Sequence, residues 1–159
     1  MISIQLDESI PVAEIFEAKE INLLQQAVME TLRQAGGSSE SELAVVITGD
    51  SQLQELNLKY LGVDSPTDVL SFPSHDTDPD TGELYLGDIL ISYPRALEQS
   101  VAGGHPIQDE IMLLVVHGVL HLLGYDHVDE AGQAEMWAIQ SATLNRLGSS
   151  IRGPALPSA

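Results

Sequence analysis

The segment VVHGVLHLLGYDH, residues 115–127, sets three imidazoles at the spacing H-x-x-x-H-x-x-G-x-x-H. The run carrying the first two is apolar on nearly every side, from Ile111 to Val116 and on through Val119, Leu120, Leu122 and Leu123. That is the pattern of a helix lying in a protein interior. At about 100° per residue, His117 and His121 fall within about 40° of each other, one turn apart on one face. Two polar rings in such surroundings need partners, because an unpartnered buried polar group costs a few kcal/mol. Gly124 lets the chain leave the helix through a left-handed turn, which can bring His127 back beside the other two. Three neutral nitrogen donors and no thiolate suit a zinc ion with an open position, and such an ion lowers the pKa of its bound water to about 7. The expectation is one zinc per chain on His117, His121 and His127, with the zinc-bound water as the reacting group.

The spacing resembles that of metzincin peptidases, H-E-x-x-H-x-x-G-x-x-H, whose glutamate takes the proton from the attacking water. Here that position is Gly118, so a peptidase of that type lacks its general base. Asp126, beside His127, is a candidate to orient a ligand ring or accept a proton; turn chemistry accounts for an aspartate there equally well. Asp88, after Gly87 on an expected strand, is a candidate support for the ligands from behind, against the alternative of a strand-end polar contact. The loop HDTDPDTG alternates Asp76, Asp78 and Asp80 like the opening of a calcium loop. Its glycine comes one place late, however, and Gly87 stands where a bidentate glutamate is due, so calcium is not expected. His75 and His105 are expected to face solvent, and Met136 and Trp137 to lie in the core.

These residues need elements to hold them. Ile2 to Leu6 alternates as a short strand, and a helical period runs from about Ala13 to Ala35, stopped by Gly36-Gly37. LAVVIT, residues 43–48, reads as a buried strand. Asp50 or Ser51 can cap a second helix with Leu53, Leu56 and Tyr60 on one face, ending near Gly62. Strands follow at Val69–Phe72 and Tyr85–Ser92, the latter with Gly87 marking a bulge or a close backbone approach. Helices are expected at about Pro94–Ala102, from Pro106 to about Leu123 with Asp109 and Glu110 complementing its dipole, and at about Asp129–Leu147. The second and third helices are taken as crossovers and residues 69–92 as a hairpin-like pair. The fold class is α+β: a small mixed sheet of about four strands packed with about five helices. Residues 1–150 form one domain, and 151–159 a frayed tail.

The 159 residues carry 24 acidic and 6 basic side chains, a formal charge of −18. Hydrophobic residues make up 43%, enough for a core, so wholesale disorder is excluded. No apolar run approaches the ~20 residues of a membrane span, and the start lacks a secretory pattern, so a cytoplasmic location is expected. Without cysteine there are no disulfides and no thiolate chemistry. An acidic body repels phosphate backbones, and the basic residues are scattered, so broad non-specific binding to nucleic acid is not expected. One Trp, four Tyr and two Phe are too few to suggest a base-stacking platform.

Three stretches in order, LNLKYLGVDSPTDVLSFP (56–73), LGDILIS (86–92) and HGVLHLLGYDH (117–127), closely resemble the YbeY family of bacterial zinc-dependent endoribonucleases. The likeness spans about Leu43 to Leu147. It implies an α+β fold, one zinc on His117, His121 and His127, and cleavage of single-stranded RNA. It further implies 16S rRNA 3′-end processing and late 30S quality control, with 30S ribosomal proteins as partners and neither DNA nor membrane involved. Thr67, Asp68 and Ser71 resemble the family's cleft-lining segment, with local backbone capping as the alternative. One departure stands out. The family commonly reads Asn-x-x-Tyr-Arg-Gly, and residues 57–62 here put Leu61 in place of the arginine. An aliphatic side chain cannot donate to phosphate; Lys59, two residues away, is the candidate substrate contact in its stead, although it points differently on a helix. A zinc-bearing ribosome-assembly factor with little nuclease activity is therefore the alternative function.

Overall fold

The computed structural model describes residues 2–7, 17–38, 40–126, 128–149 and 151. Within them lie strand β1 (Ile2–Leu6), helix α1 (Ala18–Gln34), β2 (Glu42–Thr48), α2 (Asp50–Leu61), β3 (Val69–Pro73), β4 (Tyr85–Ser92), α3 (Tyr93–Gly103), α4 (Ile107–Leu122) and α5 (Glu130–Arg146). The four strands form one sheet in the order β1-β2-β4-β3, the first three parallel and β3 antiparallel to β4. This is the α+β fold with a mixed sheet that the sequence predicts. The crossovers match expectation for α2 only. α1 joins β1 to β2 and α2 leads from β2 to β3, whereas α3 follows the last strand, since only a helix between two strands can return the chain to the sheet. The expected start of the first helix, at residues 13–16, and the tail from residue 152 lie outside the described residues.

Burial follows the strand period. Leu43, Val45 and Ile47 on β2 and Ile89 and Ile91 on β4 belong to one core cluster, and alternate side chains share a face. Onto that face packs α4, every residue of which from Glu110 to Leu120 is buried. It touches α1, α3, α5, β3 and β4, so it forms the axis of the molecule. Two glycines allow the approach. A Cβ on Gly118 would stand 2.7 Å from Cγ2 of Ile89, so no side chain fits where α4 crosses β4. Gly87 has φ +137° at a register shift between β2 and β4, and a Cβ there would stand 2.1 Å from the Phe72 carbonyl oxygen. Both the bulge and the close approach expected there are present.

Several local expectations change. Gly49, not Asp50, is the N-cap of α2; the Asp50 carboxylate instead accepts from Ser92 Oγ (2.9 Å) and Arg95 Nε (3.2 Å), tying α2 to α3. On α2 the buried positions are Leu53 and Asn57, while Tyr60 is exposed, its ring set against Phe72. Met136 is a core residue, whereas Trp137 is only half-buried. Among the described residues no helix is long and apolar enough to cross a membrane.

Candidate metal centre

His117 sits at the buried centre of α4, 2% exposed, and His121 one turn on is half-buried. The rings meet edge to face, centroids 4.5 Å apart. Their Nε2 atoms are 3.0 Å apart, near the roughly 3.3 Å kept by two nitrogens about 2.0 Å from one tetrahedral ion. On its other side, His117 Nδ1 lies 3.1 Å from Gln140 Oε1, a carbonyl-type oxygen that only accepts. Nδ1 therefore carries the proton and donates, which makes Nε2 the unprotonated ring nitrogen, the one able to ligate. Gln140 is fully buried on α5, and its Nε2 has no hydrogen-bond partner among the described residues. A buried amide kept for one oxygen fits a ligand-orienting role, and the donor set present suits zinc.

The exit from α4 is a Schellman turn. Gly124 (φ +97°) donates to the His121 carbonyl and Tyr125 N–H to that of Leu120, both at 3.0 Å. This is the left-handed exit that the glycine predicts. His127 itself lies outside the described residues, and among the described residues no three His, Asp or Glu side chains form a metal-sized group.

The other candidates separate. Ser71 Oγ donates to the Gly118 carbonyl (3.2 Å), pinning β3 to α4 between the two histidines. Asp126 is exposed, and its Oδ1 accepts from Val128 N–H (3.1 Å), a turn contact. Asp88 accepts from the Tyr85 hydroxyl. It alternates along β4 with Gly87 and Ile89, the residues that approach α4, so it belongs to the opposite face, away from the histidines. Its surroundings are those of the strand contact; burial and this bond push the Tyr85 phenol well above its ordinary range. Thr67 and Asp68 are buried; Asp68 accepts from Thr67 Oγ1 and from Gln99 Nε2 (3.2 Å). Lys59 is exposed, its Nζ 5.2 Å from the Tyr60 ring centre. Leu61 does reach the site: with Val69, Leu70, Ser71, Pro73 and His121 it lines a cleft of about 280 Å³.

Two further groups were missed by sequence reasoning. Gln140 carried a signal, since it shares the buried stripe of α5 with Met136, Thr143 and Leu144. His105 does not face solvent: it bonds Glu110 at 2.9 Å, and the Glu110 side chain is 6% exposed. Burial pushes the Glu110 carboxyl above its usual range, and the His105 bond opposes that rise. Glu110 thus stands in the first turn of α4 as expected, and is in addition a buried partner of His105.

The chain matches the family model described as endoribonuclease YbeY over residues 6–148. It is similar to proteins named endoribonuclease YbeY from Roseiflexus castenholzii (45% identical over 139 residues, 82% of this chain and 86% of the relative) and from Dehalococcoides mccartyi strain BAV1 (41% over 136 residues, 78% and 85%). The solution structure of TM1509 from Thermotoga maritima is similar with a TM-score of 0.61 at 26% identity, covering 92% of this chain and 89% of that one. A family model spanning most of the chain and relatives above 40% identity, together with the fold and the paired histidines, lead to one conclusion: the chain belongs to the endoribonuclease YbeY family.

Proposed function

We propose that this chain is a metal-dependent endoribonuclease that cuts single-stranded RNA, with one zinc on His117, His121 and His127. Its place is in the cytoplasm, in 16S rRNA 3′-end maturation and late 30S quality control, where 30S ribosomal proteins are its partners. The single observation that carries the metal reading is the pair of Nε2 atoms 3.0 Å apart with the His117 tautomer set by Gln140. Family membership supports the substrate class. When bound, a divalent cation supplies an activated water and positive charge for a phosphodiester in the reaction. The chain's own residues do the rest. Gln140 holds the Nδ1 proton of His117, and the Ser71 hydroxyl fixes the α4 backbone at Gly118. Asp126 has a carboxylate oxygen beyond the one that Val128 uses and accepts the released proton. Gly118 cannot be replaced by a glutamate base, because Ile89 fills the space in front of it, which weighs against peptidase chemistry.

The test gives purified protein single-stranded RNA, duplex RNA and a peptide library, with and without chelator, beside His121→Ala. Cleavage of single strands that stops with chelator and in the variant is expected; equal cleavage after the metal is stripped overturns the proposal. A second reading, an assembly factor with little nuclease activity, is favoured by Leu61 in the cleft. It prevails if wild-type protein cuts no RNA while Leu61→Arg gains activity.

A further inference from the structure

The two sides of β3 present different chemistry. Toward α4, Ser71 meets the Gly118 carbonyl, and Val69, Ser71 and Pro73 help to line the cleft beside His121. Phe72 alternates with them and stands opposite Asp88 in the β3–β4 register, so its ring belongs to the reverse face of the sheet. There the Tyr60 ring meets it edge-on, centroids 5.3 Å apart. Tyr85 joins the same face. The register shift before Gly87 pairs Tyr85 with Glu42, which shares its side of β2 with Ala44, the partner of Asp88. The Tyr85 hydroxyl in turn donates to the Asp88 carboxylate. A count of aromatic residues hides this, because three of the few meet on one face.

Tyr60 is 58% exposed although Phe72 fixes its ring. An exposed ring already held in place loses little freedom when a second planar group stacks on it. The face is a poor one for phosphate, since Glu42 and Asp88 lie in it and the whole chain carries −18. Its one neighbouring cation is Lys59, with Nζ 5.2 Å from the Tyr60 ring centre. Such a surface suits a ligand with uncharged planar faces whose anionic backbone stays outside, and unpaired nucleobases have that form. It is also continuous with the metal centre. Leu61, the residue after Tyr60, lines the cleft with His121, and β3 is an outer strand of the sheet. An RNA strand with a phosphate beside His121 therefore reaches Tyr60 by passing round the outer edge of β3.

From this placement we infer that Tyr60, backed by Phe72, is a second RNA contact on the sheet face away from the histidines, where an unpaired base flanking the cut site stacks. The inference rests on the endoribonuclease reading and extends its substrate contact from the cleft to the far side of β3. Bases in a duplex already stack on one another, so the site takes single strands only. Being separate from the metal, it should hold RNA whether or not the metal centre is intact.

The test measures binding of a short end-labelled single-stranded RNA by fluorescence anisotropy, in full-length protein carrying His121→Ala so that the strand stays whole. Tyr60→Phe and Tyr60→Ala are added to that background, and thermal melts of the three should coincide because Tyr60 is exposed. His121→Ala should bind the strand, and Tyr60→Phe should bind it equally well. Tyr60→Ala should weaken binding about 5- to 150-fold. A ribose-phosphate strand without bases should bind the tyrosine-bearing protein as weakly as RNA binds Tyr60→Ala. Binding should also depend little on salt, with a log–log slope no steeper than about −1.4, the value for two phosphates. In zinc-loaded protein with His121 intact, Tyr60→Ala should raise KM by a similar factor while kcat holds within a few-fold. If Tyr60→Ala binds and cuts as its parent does, or if the base-free strand binds equally well, the stacking site is wrong while the endoribonuclease reading stands. If RNA is bound through Tyr60 but never cut, the stacking site stands and the endoribonuclease reading falls. If wild type neither binds nor cuts RNA, both fall.

Discussion

The two ends of α4 each bury a histidine contact, and they do so to opposite effect. Near its start, His105 meets Glu110 at 2.9 Å: donor and acceptor complete each other in a closed pair. Near its end, His117 and His121 turn their Nε2 atoms toward each other at 3.0 Å, with Gln140 holding the far side of one ring. Two imidazoles at that distance suit either one N–H···N bond or a shared cation, and the proposed function assigns them the cation. One helix thus carries a polar contact that serves packing and another to which the proposed function assigns the chemistry.

Breaking each end separately should show the difference. The largest effect is expected from His117→Ala, which should lower RNA cleavage on the order of a thousandfold or more in a protein that still melts cooperatively. Next is Gln140→Leu: it removes the acceptor that orients His117 and should weaken zinc binding about 10- to 100-fold, read by competition with a chromophoric chelator. His105→Ala should leave zinc binding unchanged but cost about 1–3 kcal/mol in urea unfolding by orphaning a buried carboxyl. Its pH dependence has a definite sign. A carboxyl whose folded pKa is raised favours its protonated form, so stability falls as pH rises through that folded value. His105 opposes the rise in Glu110, so the variant should lose more stability than wild type between acidic and neutral pH.

The smallest effect lies far from both ends. Glu30 on α1 bonds Arg33 and Gln34 on its own helix and Arg146 of α5, and the Arg33 bond chiefly holds its carboxyl down to about 2. A lowered folded pKa contributes stability that is present above the ordinary carboxylate value and lost as pH falls toward 2. Glu30→Gln should therefore narrow the gap between neutral and acid stability, seen as a shallower acid limb in thermal melts, with zinc binding untouched.

Much of this architecture was legible because it is written in periods. The alternation of β4, the all-round apolar run of α4 and the glycine exit at Gly124 are local signals, and each appears where expected. The spacing of His117 and His121 is local too, which is why their convergence could be read from four-residue geometry. Partnerships across the chain were not legible. Gln140 lies 23 residues from His117, and nothing in either segment names the other. His105 was expected to face solvent because its partner is buried only once α4 is packed, and the first-turn position of Glu110 did not reveal that pairing. The crossovers were misassigned in part, α3 being taken where α1 serves while α2 was placed rightly, because strand order is set by which edges pair, and no single segment states that.

The claim that everything else serves is that the imidazoles of α4 share a divalent ion. Calorimetric titration of zinc into chelator-stripped protein, run beside His121→Ala, addresses it most directly. The account predicts saturation at one zinc per chain for wild type and no comparable binding in the variant; equal uptake by both proteins, or none by wild type, contradicts it.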